Sequence, residues 1–403
     1  MDFADLNLGL APHSMNRLYQ AVSRLQENGK SILDLISGSA HAAGICFPEE
    51  LLQEIFAQAI PRARRYRPDP LGQETAREAI ARYYAGQGID IPLRQILLTP
   101  GSSLSYLYCF RLLTDPGDEI ICPIPSYPLF DLIARICNVE LISYRLREEW
   151  NWGIDLDYLE SRLTTRTKAM VLISPHNPTG MVASFGELAQ LAEIALRHNL
   201  PIISDEVFSE FLFPGGVLPR LAATKAPLVF TLNGFSKMFA LPGMKLGWIA
   251  VNGDPEKVSH ALETLELMSD TFLPVNEMVQ FCVPEVLSRG RLFLEDYRSR
   301  VEHCRDLALD LLSDLGEVQF VPPAGGFYLT LRSKDPEPRW EDETLVLRLL
   351  ETRQVLLHPG FFYDLPPAHL VMTFVQAPLR LQEGLAAIRE VLRETLEQAD
   401  KFQ

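Results

Sequence analysis

The chain has no apolar run approaching the roughly 20 residues that a membrane-crossing helix needs. Residues 1–5 carry neither the basic segment nor the apolar core of a secretory leader, so a cytoplasmic protein is expected. Positive charge is scarce as well. There are 52 acidic residues against 37 basic ones, a net charge of −15, which argues against nucleic acid or an anionic membrane as a partner. That balance leaves a small-molecule substrate open, because a local field can oppose the net charge. The six cysteines (Cys46, Cys109, Cys122, Cys137, Cys282, Cys304) form no CxxC pair and no metal-binding spacing. Reduced core thiols and no metal are expected. Internal repeats and low-complexity tracts are absent too.

What remains is a soluble, globular composition, 47% hydrophobic and 22% charged, in 403 residues. That length is too great for one small core, so two domains are expected. Apolar spacing predicts helices over 15–28, 48–60 and 73–84, and a short strand over 31–36. A small-residue loop (37–44) and a breaker-rich loop (65–72) lie between them. From 96 to about 251, strand-like apolar runs alternate with helical patterns, the mark of a parallel sheet with helices on both faces. The strand candidates are 96–98, 119–122, 140–144, 169–173, 201–204 and 228–232, with a further apolar run at 248–251. Beyond 290 the texture changes to a long helix (291–315), short strands (318–321, 327–331, 370–374) and helices (341–353, 379–397). This reads as a smaller α+β domain.

In open α/β sheets, ligands sit beyond the carboxyl ends of the strands. Gly101-Ser102-Ser103 follows the first strand candidate and opens a helix, giving either an anion site for a phosphate or a plain N-cap. Tyr127, fixed between prolines, could lie on a planar ring or simply pack. Asn177-Pro178-Thr179-Gly180 is a turn by composition. Asp205 closes an apolar strand, where a carboxylate either caps a helix or needs a cationic partner. Lys237 sits in a turn punctuated by Gly, Ser and Pro between two apolar runs. Burial there would lower its pKa and leave a free amine, as Schiff-base chemistry requires. A surface lysine beside a strand end is the plainer alternative.

The stretch 233–248 carries Gly234, Ser236, Lys237, Gly243 and Gly247 at fixed offsets. It resembles the lysine segment of the class I/II aminotransferases, fold-type I enzymes that use pyridoxal 5'-phosphate (PLP). The resemblance covers essentially the whole chain. It implies an α/β fold in which a large PLP-binding domain, with a mainly parallel sheet and helices on both faces, joins a smaller α+β domain built from both chain ends. The corresponding division is 1–45 (N-terminal arm and part of the small domain), 46–290 (large domain) and 291–403 (small domain).

The resemblance also implies roles. Lys237 would form the Schiff base with PLP and then act as base at the substrate α-carbon, while Asp205 would pair with the pyridine nitrogen. Gly101, Ser102, Ser103 and Lys245 would hold the phosphate, Ser236 would bind the cofactor beside Lys237, Tyr127 would stack on the ring, and Asn177 would donate to its phenolic oxygen. Tyr66, with Gly72 and Arg77, would reach the phosphate of a neighbouring subunit, so a homodimer with shared sites is expected. Gly38, His41 and His358 fall at positions facing the substrate. Gly325-Gly326-Phe327-Tyr328 matches a turn read as structural.

Three departures stand out. Lys245 and Phe208 replace an Arg and a Tyr, and Val371 fills the slot of the arginine that grips the substrate carboxylate, for which Arg332 is one possible substitute. The expected reaction is amino transfer between an amino acid and a 2-oxo acid, of alanine-type or broad specificity. A β-lyase or other PLP reaction, and a non-catalytic PLP-binding module, are the alternatives.

Overall fold

Side-chain alternation along the central strands builds two cores at once. Leu98, Ile121, Met170, Ile202 and Val229 point to one face of a large sheet, and their chain neighbours Leu97, Ile120, Val171, Ile203 and Phe230 point to the other. A sheet covered on both sides needs apolar residues at nearly every position, which is why these strands read as continuous hydrophobic runs. The computed structural model describes residues 16–335 and 337–400. The reading of residues 1–5, and Met15 at the start of the first expected helix, lie outside them.

The large sheet has eight strands. In spatial order they are Ile96–Thr99, Gly247–Gly253, Leu228–Gly234, Ile202–Asp205, Thr167–Ile173, Glu119–Ile124, Glu140–Arg147 and Gly153–Ile154. The pairs from Leu228–Gly234 across to Glu140–Arg147 are parallel. Gly247–Gly253 runs antiparallel to both its neighbours. It follows Leu228–Gly234 after one helical turn and a 3-10 turn, too short a link for the crossover that a parallel pair requires. Helices cover both faces. One of them, Phe185–His198, starts in a capping box between Ser184 and Glu187, which satisfies two otherwise orphaned backbone N–H groups.

The C-terminal part carries an antiparallel four-stranded sheet ordered Val318–Gln319, Tyr328–Ser333, His369–Thr373, His358–Pro359. The N-terminal strand Leu33–Asp34 pairs in parallel with Val355–Leu356. Helix Arg17–Glu27 is tied to helix Asp342–Arg353 by the ion pairs Arg17–Glu343 (3.1 Å) and Arg24–Glu351 (2.9 Å). Both chain ends therefore build this smaller part. Five of the six cysteines are buried and all are free thiols; Cys46 is exposed. Among the described residues no helix is long and apolar enough to cross a membrane.

Candidate active site

Strand register sets the site. Ile173 lies level with Asp205, and Asp205 with Leu232. The loops carrying Asn177, Asp205 and Lys237 thus leave the same edge of the sheet side by side. Gly247 closes the ring of loops. A Cβ there would lie 2.9 Å from the Asn233 carbonyl and 3.0 Å from Gly101 Cα, so the lysine hairpin touches the Gly101 turn backbone to backbone. Gly101 itself has φ +125°, with open space where a Cβ would be. It precedes helix Ser102–Leu113, whose first N–H groups face that space with the positive end of the helix dipole. Ser102 is half-buried and Ser103 exposed.

Asp205 is 8% exposed. Its Oδ1 accepts the Val207 N–H at 3.0 Å, and its Oδ2 accepts the Tyr106 hydroxyl at 2.8 Å. Burial nevertheless pushes its carboxyl up to about 6, the two hydrogen bonds only partly opposing the shift. No cation pairs with it among the described residues. Lys237 is half-buried, and its Nζ lies 5.8 Å from the ring centres of both Phe208 and Phe327. Burial among such apolar neighbours holds its pKa below the ordinary lysine value. Phe208 is buried and packs edge-on against Phe327 and Tyr328.

Asn177 follows His176, whose Nδ1 lies 2.9 Å from the Thr179 hydroxyl. Burial pushes the His176 imidazole down to about 3, so it is neutral at physiological pH. Among the described residues the buried Asn177 Oδ1 finds no hydrogen-bond partner, and the His176 ring also interacts with the Pro125 backbone. The Tyr127 loop abuts the far side, where the Ser126 N–H donates to the Tyr363 carbonyl at 2.9 Å. Tyr127 is 44% exposed.

These features suit a planar, phosphate-bearing ligand with a protonatable ring nitrogen. Among the described residues the buried carboxylate lacks a cation, the amine lacks an anion and one amide oxygen is orphaned, and a glycine turn stands open at a helix N-terminus. Ser236 lies half-buried beside Lys237, while Lys245 is exposed at φ +50° in the link between the two hairpin strands.

Other expected residues lie apart. Tyr66 is 77% exposed on its loop. Arg77 is locked inside the chain, donating from Nε to the Gly72 carbonyl at 2.7 Å and pairing with Asp69 at 2.7 Å. His41 is exposed, with Nδ1 3.2 Å from Cys46 Sγ. Gly38, at φ +55°, packs beneath the Tyr328 hydroxyl, which a Cβ there would approach to 3.0 Å. His358 lies between two phenols, with Nε2 2.8 Å from Tyr19 Oη and Nδ1 3.1 Å from Tyr363 Oη. Val371 is fully buried in its strand. The guanidinium of Arg332 is taken by Glu148 at 3.1 Å.

Sequence reading missed Tyr106 and assigned Phe327 and Tyr328 a structural part only. Tyr106 had a local signal, since it lies one helical turn beyond Ser102 on the helix that the glycine turn opens. Tyr328 had none; long-range pairing brings it to Gly38.

A family model described as "Aminotransferase class I and II" matches residues 36–387. The glutamate-pyruvate aminotransferase AlaA of Haemophilus influenzae is 29% identical over 93% of this chain and 94% of that protein. The alanine aminotransferase of Mycobacterium tuberculosis H37Rv is 33% identical over 88% of this chain and 83% of that one. A crystal structure of an aminotransferase from Escherichia coli superposes with TM-score 0.88 at 27% identity, covering 98% of each chain.

Proposed function

We infer the residue roles below from the premise that this chain belongs to the class I and II aminotransferases. It is a pyridoxal-phosphate-dependent aminotransferase, moving an amino group between an amino acid and a 2-oxo acid. Bound PLP supplies an electron-accepting ring that takes up the charge left at the substrate α-carbon. The protein's own groups do the rest.

Lys237 would hold PLP covalently through Nζ and, once released, carry the proton at the α-carbon. The pKa-lowering burial of this lysine favours both tasks, since each requires a neutral amine. Asp205 would keep the ring nitrogen protonated; the cation so formed is the partner this buried carboxylate lacks. Tyr106 orients Asp205 through its hydrogen bond. Asn177 would hydrogen-bond the ring oxygen and Tyr127 cover the ring face. Gly101, Ser102, Ser103 and Lys245 would receive the phosphate, and Tyr66 would reach that of the second subunit in a homodimer; Ser236 would bind the cofactor beside Lys237. Gly38, His41 and His358 face the substrate in this reading. The chain divides at about residues 45 and 290, and the enzyme is cytoplasmic. The names of the relatives support a small 2-oxo acid such as pyruvate as one substrate.

The observation that carries these assignments is the convergence of an unpaired buried carboxylate and an unpaired lysine on one sheet edge. Borohydride reduction and peptide mapping test it directly: the label is expected on Lys237 and absent from Lys237→Ala. Asp205→Ala is expected to fold and to lose turnover by at least about 10³-fold, the scale of one preorganised electrostatic contact. Retained turnover removes the ring-nitrogen role. Sedimentation as a monomer would remove the shared-site dimer. The buried Phe208, which has no hydroxyl to offer the ring oxygen, supports a second reading as a β-lyase. That reading requires ammonia release from substituted alanines without any amino acceptor.

A further inference from the structure

The substrate side of the site has an unexpected charge. In the four-stranded sheet, Tyr328 pairs with Thr373, Thr330 with Val371, and Val371 with His358. Paired residues share a face, so Tyr328, Thr330, Val371 and His358 lie on one face of the sheet, Thr330 and Val371 fully buried within it. Its one arginine among the described residues, Arg332, lies at the far end beside His369, where both meet Glu148 at 3.1 and 3.4 Å. At the near end, Tyr328 borders Phe208 and the Gly38 turn.

That turn is held by Asp34, whose Oδ1 accepts the Ile36 and Ser37 N–H groups at 2.7 and 3.0 Å. Its Oδ2 accepts no hydrogen bond among the described residues. Burial raises the phenol pKa of Tyr19 and of Tyr328, and the nearby Asp34 and Tyr127 side chains add smaller shifts in the same direction. His358 adds no positive charge, because burial pushes it down to about 4. Rings surround it. Its centroid lies 5.8 Å from Tyr19, 5.0 Å from Phe362 and 5.8 Å from Tyr363.

A carboxylate entering this mouth meets phenols, a neutral imidazole and one repelling carboxylate. An ammonium or guanidinium meets the same carboxylate as a counter-charge and aromatic faces that attract cations. We propose that the mouth formed by Asp34, Tyr19, Tyr127, Tyr328 and His358 selects an amino substrate carrying a second, cationic group, such as a basic amino acid or a diamine. The proposal rests on the roles given above to Lys237 and Asp205. Pyruvate and alanine then form the other substrate pair, too small to bring a second charge to the mouth.

The test uses the holoenzyme and the change in cofactor absorbance during a single turnover. Ornithine, putrescine, alanine and glutamate are compared at equal concentration. Ornithine, putrescine or both are expected to react roughly ten-fold faster than glutamate, the size of a partly desolvated cation–ring contact. Which of the two leads decides whether an α-carboxylate is also used. Asp34→Asn keeps an oxygen for the Ile36 and Ser37 N–H groups and is expected to bring the ratio of cationic substrate to glutamate close to one. Glutamate reacting as fast as or faster than both cationic compounds overturns the proposal, as does a ratio unchanged in Asp34→Asn. Silence from all four compounds overturns both this proposal and the catalytic roles beneath it, whereas preference for glutamate overturns this proposal alone.

Discussion

A neutral histidine buried behind Asn177 gives the site a measurable pH signature. His176 titrates near 3 in the folded chain against 6.5 for a free imidazole. Below pH 6.5 the unfolded chain therefore binds more protons, and the folded state loses stability as pH falls from about 6.5 towards 3. His358, pushed down to about 4, has the same sign. Asp205, raised to about 6 from 3.8, has the opposite one and favours the folded cofactor-free chain as pH falls through that range. The difference between wild type and His176→Gln isolates the histidine. Between pH 7 and 5, urea unfolding is expected to show wild type losing about 2 kcal/mol more than the variant; parallel pH profiles would mean His176 is protonated when folded. At this scale much of the site was legible. Asp205 closes an apolar run directly, and Asn177 and Lys237 follow theirs within about five residues, so their place beyond a strand end is local information. Tyr19, Tyr328 and Asp34 were not legible as a group, because they meet only through pairings between the chain's two ends.

The hairpin Leu228–Gly234 to Gly247–Gly253 is the element that matters most. Its apolar runs announced two strands, but periodicity carries no direction, so the antiparallel return did not follow from them. The start of the helix Ser102–Leu113 was legible, because glycine and serine punctuate it. The brief strands Val355–Leu356 and His358–Pro359 are too short to leave a periodic trace. Gly247→Ala tests the hairpin. Its Cβ would press on the Asn233 carbonyl and on Gly101 Cα, both backbone atoms that yield only by moving the strand. A cost of about 1–3 kcal/mol is expected, seen as a lowered Tm together with faster cofactor loss on dialysis. A lowered Tm with unchanged cofactor retention would uncouple the two turns.

Across the whole molecule, a buried polar seam joins the loop after Asp205 to distant helices. Glu206 pairs with Arg220, which also donates to Gln87, and Glu210 pairs with Arg298 and accepts the Tyr83 hydroxyl at 2.6 Å. Glu206 and Arg220 are nearly inaccessible. Arg220→Met would strand a carboxylate in the interior, at a cost of about 3–5 kcal/mol in equilibrium unfolding; a change under about 1 kcal/mol would mean that water reaches Glu206.

The sheet order has a consequence for biosynthesis. Ile96–Thr99 is an edge strand whose sole neighbour among the described residues, Gly247–Gly253, lies about 150 residues downstream, a separation that delays pairing. A nascent chain still short of that neighbour has the Gly101 turn but nothing to dock it against. Cofactor capture would then report that translation has passed the hairpin, and ribosome-stalled fragments on either side of residue 253 should differ in whether they retain the yellow chromophore.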